Sequence, residues 1–190
     1  MTETQNHGDY LTGKLLLALP GMGDDRFDRA VIALFAHNDE GAFGIDLGHV
    51  RQEVTMHDLL EDLGIDPGVA PDCPVHNGGP VEPQRGFVLH SPEWNEVETM
   101  ISGPLCSLSA SLDVLRAIAE GRGPRHWLIA LGYSGWGAGQ LDHEMHFHGW
   151  HAATGHAEVL WDTPAERRWT AAWRAEGIDP ALLTAHSGHV

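Results

Sequence analysis

Four short apolar runs constrain this fold more than anything else in the chain: KLLLAL at residues 14–19, AVIALFAH at 30–37, GFVLH at 86–90 and RHWLIALG at 125–132. Each is stopped within a few residues by glycine, proline or a turn cluster. Runs of this length are too short for buried helices and suit strands buried in a sheet. None approaches the roughly 20 apolar residues a membrane-spanning helix needs. The second run is followed by the turn Asn38-Asp39-Glu40-Gly41 and an extended stretch through Leu47, which together signal a hairpin.

Helix punctuation separates the strands. Thr55 stands three residues before Asp58, ahead of Met56, Leu59, Leu60 and Leu63 at the spacing of one helical face, and Gly64 follows as the stop. Residues 65–74 hold three prolines and read as a loop. A short strand at 104–107 leads to Ser109 or Ser111, either of which can cap a helix carrying Leu112, Leu115 and Ile118 to a stop at Gly121. Residues 150–154 form a further strand. Thr163-Pro164-Ala165-Glu166 then spells a capping box with proline at the first helical position, and Trp169 and Trp173 share one face of the helix it opens. Asp179-Pro180 starts a short last helix. The mixture predicts an α+β fold. At 190 residues the chain suits one domain over residues 11–190, with residues 1–10 as a mobile leader.

Charge narrows the partners. Eleven Lys and Arg against 27 Asp and Glu give a formal charge of -16, which repels phosphate backbones and anionic headgroups. Direct nucleic-acid binding is therefore disfavoured and no membrane partner is implied. The 14 histidines make this charge sensitive to mild acid. Asp24, Asp25 and Asp28 are interleaved with Arg26 and Arg29, which points to local ion pairs ahead of a cation site. Cys73 and Cys106 have no metal-ligand spacing and read as two free thiols. The N-terminal ten residues lack the basic and apolar regions of a secretory signal.

The densest group of glycines, aromatics and histidines is GYSGWGAGQLDHEMHFHGW at residues 132–150. Gly132, Tyr133, Ser134, Gly135, Trp136 and Gly137 read as a strand-to-helix turn whose free backbone N–H groups could cradle an anion. Gly78, Gly79, Pro80 and Arg85 are its candidate second wall. Gly132-Tyr133-Ser134-Gly135-Trp136 nearly spells a nucleophile elbow, but Trp136 replaces the closing glycine. His143 and His146, at i and i+3 with Asp142 beside them, are candidate metal ligands that need further ligands from elsewhere. On a helix, His148 falls on the opposite face with Leu141 and Met145, and the spacing misses HExxH because Phe147 holds the second position. Adventitious nickel or zinc binding is expected of such a cluster, and Trp94 in its loop is either a binding-surface residue or packed onto the body.

Four segments carry a family resemblance: LTGKLLLALPGMGDDRF at 11–27, HNDEGAFG at 37–44, GGPVEPQRGFVLHS at 78–91, and SASLDVLRAIAEGRGP with LIALGYSGWGAGQL across 109–141. In this order and spacing they resemble the bacterial YqgE/AlgH family over residues 11–183. The resemblance implies a cytoplasmic bacterial protein of complex α+β fold, with a mixed, bifurcated or barrel-like β-sheet flanked by helices. It carries a label of transcriptional regulator, and supplies no catalytic residue and no cofactor. Two departures stand out. The family's Asn-Lys-Pro or Asn-Arg-Pro turn is replaced by Ile45-Asp46-Leu47-Gly48-His49-Val50, and His143, His146, His148 and His151 belong to this chain alone.

The expected role is non-catalytic, regulatory or the binding of an unknown protein or small-molecule partner. Direct action on DNA and a metal-dependent enzyme or sensor at His143 and His146 are the alternatives.

Overall fold

In the computed structural model one long strand, β9 (Trp127–Gly137), organises the sheet, because it pairs with different neighbours along its length. The structure describes residues 10–147 and 149–186. The expected leader, apart from Tyr10, and His148 lie outside the described residues.

The hairpin predicted from the second run is β2 (Val31–Asn38) with β3 (Gly41–Asp46), flanked by β1 (Leu15–Ala18) and then β10 (Trp150–Ala153). This arm joins β9 through Gly41↔Gly137, Ala42↔Trp136, Phe43↔Gly135 and Gly44↔Ser134. The first half of β9 belongs to a second arm. There β5 (Pro74–Asn77) runs parallel to it through His76↔Ala130 and Asn77↔Leu131, and β4 (Val50–Thr55) lies outside β5. On the other side of β9, β6 (Val81–His90) is antiparallel and leads to β8 (Ser107–Ser109) and β7 (Met100–Ile101). The sheet forks and does not close, so of the two expected forms it takes the bifurcated one.

Alternating side chains explain why the apolar runs lack polar positions. Leu15 and Leu17 enter the central core with Val31, Ile45, Phe87, Leu89 and Ala130, while Leu16 and Ala18 face the opposite way with Ile32, Trp136 and Trp150. In the second arm Val88, Ile129 and Leu131 face a third cluster. Strands buried on both faces read as continuous hydrophobic runs.

Helices cover these faces. α1 (Met56–Asp62) and α2 (Leu112–Ala119) close the third cluster through Met56, Leu60, Val114, Leu115 and Ile118. The Thr55–Asp58 capping box forms as predicted, and Ser111 rather than Ser109 caps α2. α3 (Gln140–His146) buries Leu141 on the first arm, and α4 (Ala165–Ala175) seals the central core with Trp169 and Trp173. Trp94 packs edge-on against the buried His90 ring, 5.4 Å between centroids, so it belongs to the body.

Three local expectations change. β4 carries no apolar run because its residues are half-buried or exposed, which left it without a hydrophobic signal. β6 begins at Val81, five residues before the predicted strand, as an exposed segment with a register shift between Val81 and Gly86. The capping box at Thr163 does not form: Pro164 takes the N-cap position, and the Thr163 hydroxyl donates to the Glu158 carbonyl at 3.0 Å. The cause is the π-helical turn Glu158–Asp162, whose wider coil leaves that carbonyl exposed to Thr163.

Candidate functional site

The glycines singled out in the sequence meet at the fork. Gly78 N–H donates to Leu131 O at 2.9 Å, Asp46 N–H donates to Gly78 O at 2.9 Å, and the buried Ser134 hydroxyl reaches the same Gly78 oxygen at 3.3 Å. A Cβ on Gly78 would collide with the Gly132 carbonyl, and one on Gly79 with the Tyr133 backbone. Glycine is needed here because two backbones approach closer than any side chain allows. The stretch 132–137 is therefore strand interior, and the turn shrinks to Ala138 and Gly139, the latter at φ 68°. Tyr133 packs with Phe43 and Phe87 at 5.0 and 6.0 Å. Arg85 lies on the exposed half of β6, paired with Glu82 at 3.1 Å and over the Phe87 ring, and Pro80 is exposed beside it.

Beyond the turn the organising residue is Glu144. One of its oxygens accepts from the indole N–H groups of Trp136 at 2.9 Å and Trp150 at 2.8 Å, and the other from the Gln140 amide at 3.0 Å. This carboxylate ties β9, α3 and β10 together. His143 and His146 are exposed on either side of Phe147, and Asp142 faces His37 Nε2 at 3.4 Å instead of either of them. His151 stacks on Trp173 and faces Glu176. Among the described residues no three His, Cys, Asp or Glu side chains gather as a metal site. Asp24 and Arg26 form the expected local pair, with Arg26 Nη2 2.7 Å from Asp24 Oδ2.

A different place combines concavity with buried charge. A cleft of about 560 Å³ opens between β5, the start of β9, the π-helical turn and the start of α4. Trp161 and His126 stack across it at 5.9 Å and 25°, and Val50, Pro71, Trp127 and Leu128 extend its apolar wall. Its floor holds His76 and Arg168, only 5% and 2% exposed.

Arg168 uses all five of its N–H groups. Nε donates to Val159 O, Nη2 to Leu160 O and Thr163 O, and Nη1 to Leu47 O and to His76 Nε2. His76 Nδ1 faces Ile129 O at 3.1 Å, and a carbonyl can only accept. The proton therefore sits on Nδ1, which leaves Nε2 as the lone pair that takes the Arg168 hydrogen bond. Burial, reinforced by the adjacent guanidinium, pushes the His76 pKa down to about 4. Burial also lowers that of Arg168 to about 10, opposed by the fields of Asp46 and Glu166, so the guanidinium stays charged at neutral pH. No carboxylate lies within ion-pair distance of it among the described residues.

The turn that departs from the family pattern supports this floor from behind. The buried Asp46 accepts from Val31 N–H and Gly48 N–H through Oδ1 and contacts His49 Nδ1 at 2.6 Å through Oδ2. His49 Nε2 meets Asp28 O at 2.7 Å. With acceptors at both ring nitrogens His49 favours the imidazolium, and the bond to Asp46 raises its pKa. The turn so fixed presents the Leu47 carbonyl to Arg168.

Sequence reading missed the cleft because its parts come from four segments and none forms a spaced motif. An arginine one residue before a core tryptophan was the available signal, since Arg168 lies beside Trp169 on the buried side of α4.

A family model described as AlgH-like matches residues 15–181. A UPF0301 protein of Novosphingobium aromaticivorans is 62% identical over 183 residues, covering 96% of this chain and 98% of its own. One from Rhodospirillum rubrum is 44% identical, covering 99% and 98%. The solution structure of the AlgH protein from Pseudomonas aeruginosa matches with a TM-score of 0.78 at 37% identity over 100% of both chains. A crystal structure of a protein from Corynebacterium diphtheriae, at 19% identity and a TM-score of 0.74 over 94% of each chain, shares the fold. No helix among the described residues is long and apolar enough to cross a membrane.

Proposed function

This chain belongs to the AlgH-like family, and from that premise we propose that it is a cytoplasmic, non-catalytic binding protein whose ligand occupies the Trp161–Arg168 cleft. Its volume of about 560 Å³ falls within the range of small-molecule sites. The carrying observation is the cleft's aromatic and apolar wall over a floor whose polar groups, His76 and Arg168, are held in hydrogen bonds. Cys73 in its wall is held as a thiol, with burial raising its pKa to about 11. Both nitrogens of His76 are engaged, and the Thr163 hydroxyl donates to Glu158 O. A nucleophile needs an adjacent base to be activated; Cys73 is held as the thiol, and the His76 nitrogens and the Thr163 hydroxyl are engaged by other partners. What they leave is a shaped, largely apolar recess with aromatic walls, which is the equipment of recognition.

A fragment screen by ¹⁵N NMR tests this. Binding fragments are expected to shift the amides of residues 126–129 and 161–166, and Trp161→Ala, which removes one wall, abolishes those shifts. Fragments that bind only elsewhere, or turnover of a hydrolase or phosphatase substrate that is lost in Cys73→Ala or His76→Gln, would overturn the reading.

A further inference from the structure

Resting on that reading, we propose that the cleft selects a small monoanion, a carboxylate carried on a flat apolar body, and that Arg168 is the residue that makes the selection.

The Arg168 guanidinium at the floor of the cleft makes no ion pair among the described residues, the carboxylates of Asp46 and Glu166 acting on it only from a distance. Arg168 is 2% exposed, and its five hydrogen bonds go to four backbone carbonyls and one uncharged ring nitrogen. Carbonyl dipoles satisfy its N–H groups but cancel only part of a full charge. Buried charges ordinarily pair with an opposite one. Arg168 and Thr163, whose carbonyl accepts from Nη2, both line the cleft, so the charge lies against its floor although its N–H groups are all engaged. Beside a buried charge and apolar walls the effective dielectric is lower than at an exposed site, so an anion there gains more from the charge than it would on the surface.

The walls set the rest of the ligand. Trp161 and His126 lie nearly parallel, and a planar ring extends that stack or replaces one member of it. Asp162 and Glu166 also line the cleft, as does Arg125 in the bend just before β9. Together with the formal charge of -16 they penalise a second negative charge, which favours a carboxylate over a phosphate dianion. Asp162, Glu166 and Trp161 would equally suit a cation at the rim, but a cation moving inward meets Arg168.

Titration of the ¹⁵N-labelled full chain at pH 7 with 2-naphthoate, 2-naphthamide and 2-naphthylmethylamine decides the matter. The three share a body and differ in charge. The carboxylate is expected to bind the cleft at least about tenfold tighter than the amide, through attraction to the Arg168 charge across the floor of the cleft. It alone shifts the Arg168 Nε–H resonance, and in Arg168→Gln the carboxylate and the amide bind alike. Should Arg168→Gln not fold, the Nε–H resonance of the unaltered protein still tests the selection: a shift with the carboxylate alone supports it, and no shift overturns it. Equal binding of the three probes, or preference for the amine, at the cleft overturns the anion selection and leaves the cleft as a binding site. If neither these probes nor any fragment shifts the cleft residues, both readings are overturned.

Discussion

Replacing Arg168 with methionine tests whether this side chain is what fastens α4 and the π-helical turn to the fork. The change keeps an unbranched apolar stem and removes five N–H groups, leaving the carbonyls of Leu47, Val159, Leu160 and Thr163 and the Nε2 of His76 short of a donor. At about 1 kcal/mol net per bond the loss is about 5 kcal/mol. Against this, the mutant no longer has to desolvate a guanidinium, a relief of several kcal/mol that hydrophobic replacement of buried charges often recovers. With that relief taken as about 2 kcal/mol against about 5 from the bonds, a net destabilisation of about 3 kcal/mol is expected. A domain with a stability of about 5–15 kcal/mol survives that loss. Urea unfolding at pH 7, followed by tryptophan fluorescence, measures it. Arg168→Lys should lose about half as much, because an ammonium offers three donors without the planar fork. In the folded methionine mutant the His76 pKa rises, since the guanidinium is one cause of its depression. A loss below about 1 kcal/mol, or a gain, would refute the reasoning: charge burial would then cost as much as the five bonds return.

Acid should weaken the fold through His76. Its folded pKa of about 4 lies below the ordinary 6.5, so between these values the unfolded chain binds more protons. Stability is therefore full above pH 6.5 and falls as pH drops towards 4, by on the order of 3 kcal/mol from this group; a flat profile in urea unfolding across that window would count against the buried neutral ring. His49 acts in the opposite sense: its raised pKa gives stability present below pH 6.5 and lost as pH rises through the folded value, and His49→Gln should remove that alkaline limb. Glu144→Ala strips the acceptor from two indoles and the Gln140 amide, with an expected loss of about 2–3 kcal/mol in the same assay and a changed near-UV spectrum from Trp136 and Trp150. Cys73 and Cys106, whose thiols burial holds at pKa values of about 11 against 9.0, should alkylate roughly a hundredfold more slowly at pH 8 than a free thiol, and faster labelling would show that the segments leading into β5 and β8 open. Gly78→Ala places a methyl in the Gly132 carbonyl and should cost about 3 kcal/mol or prevent folding.

Much of the architecture was legible because the signals were local. The runs that became β1, β2 and β9 announced themselves as strands buried on two faces, and Thr55, Ser111, Gly64 and Gly121 marked helix ends through groups within four residues of them. Where a neighbour distant in sequence intervened, the reading slipped. β4 has no core face of its own and is a strand because β5 offers it an edge. Thr163 looked like a capping residue until the preceding turn presented a carbonyl to its hydroxyl.

The candidate site divides the same way. The sequence by itself determined where the glycines stand, at 78, 79, 132, 135 and 137, and that the elements mix as an α+β fold, since composition and spacing are intrinsic to the polymer, while the family resemblance pointed to a bifurcated or barrel-like sheet. It also placed His143 and His146 on an exposed helix face, because 100° per residue is a property of any α-helix. Only the tertiary structure decided what the glycines are for. The backbones they admit meet across more than 50 residues of chain, and that distance has no trace in either segment read alone. The same holds for the cleft. Arg168, His76, Leu47 and Trp161 become one arrangement only when α4 folds back over the fork, because the charge state of a ring and the partners of a guanidinium depend on burial and neighbours, which are set by the packed whole.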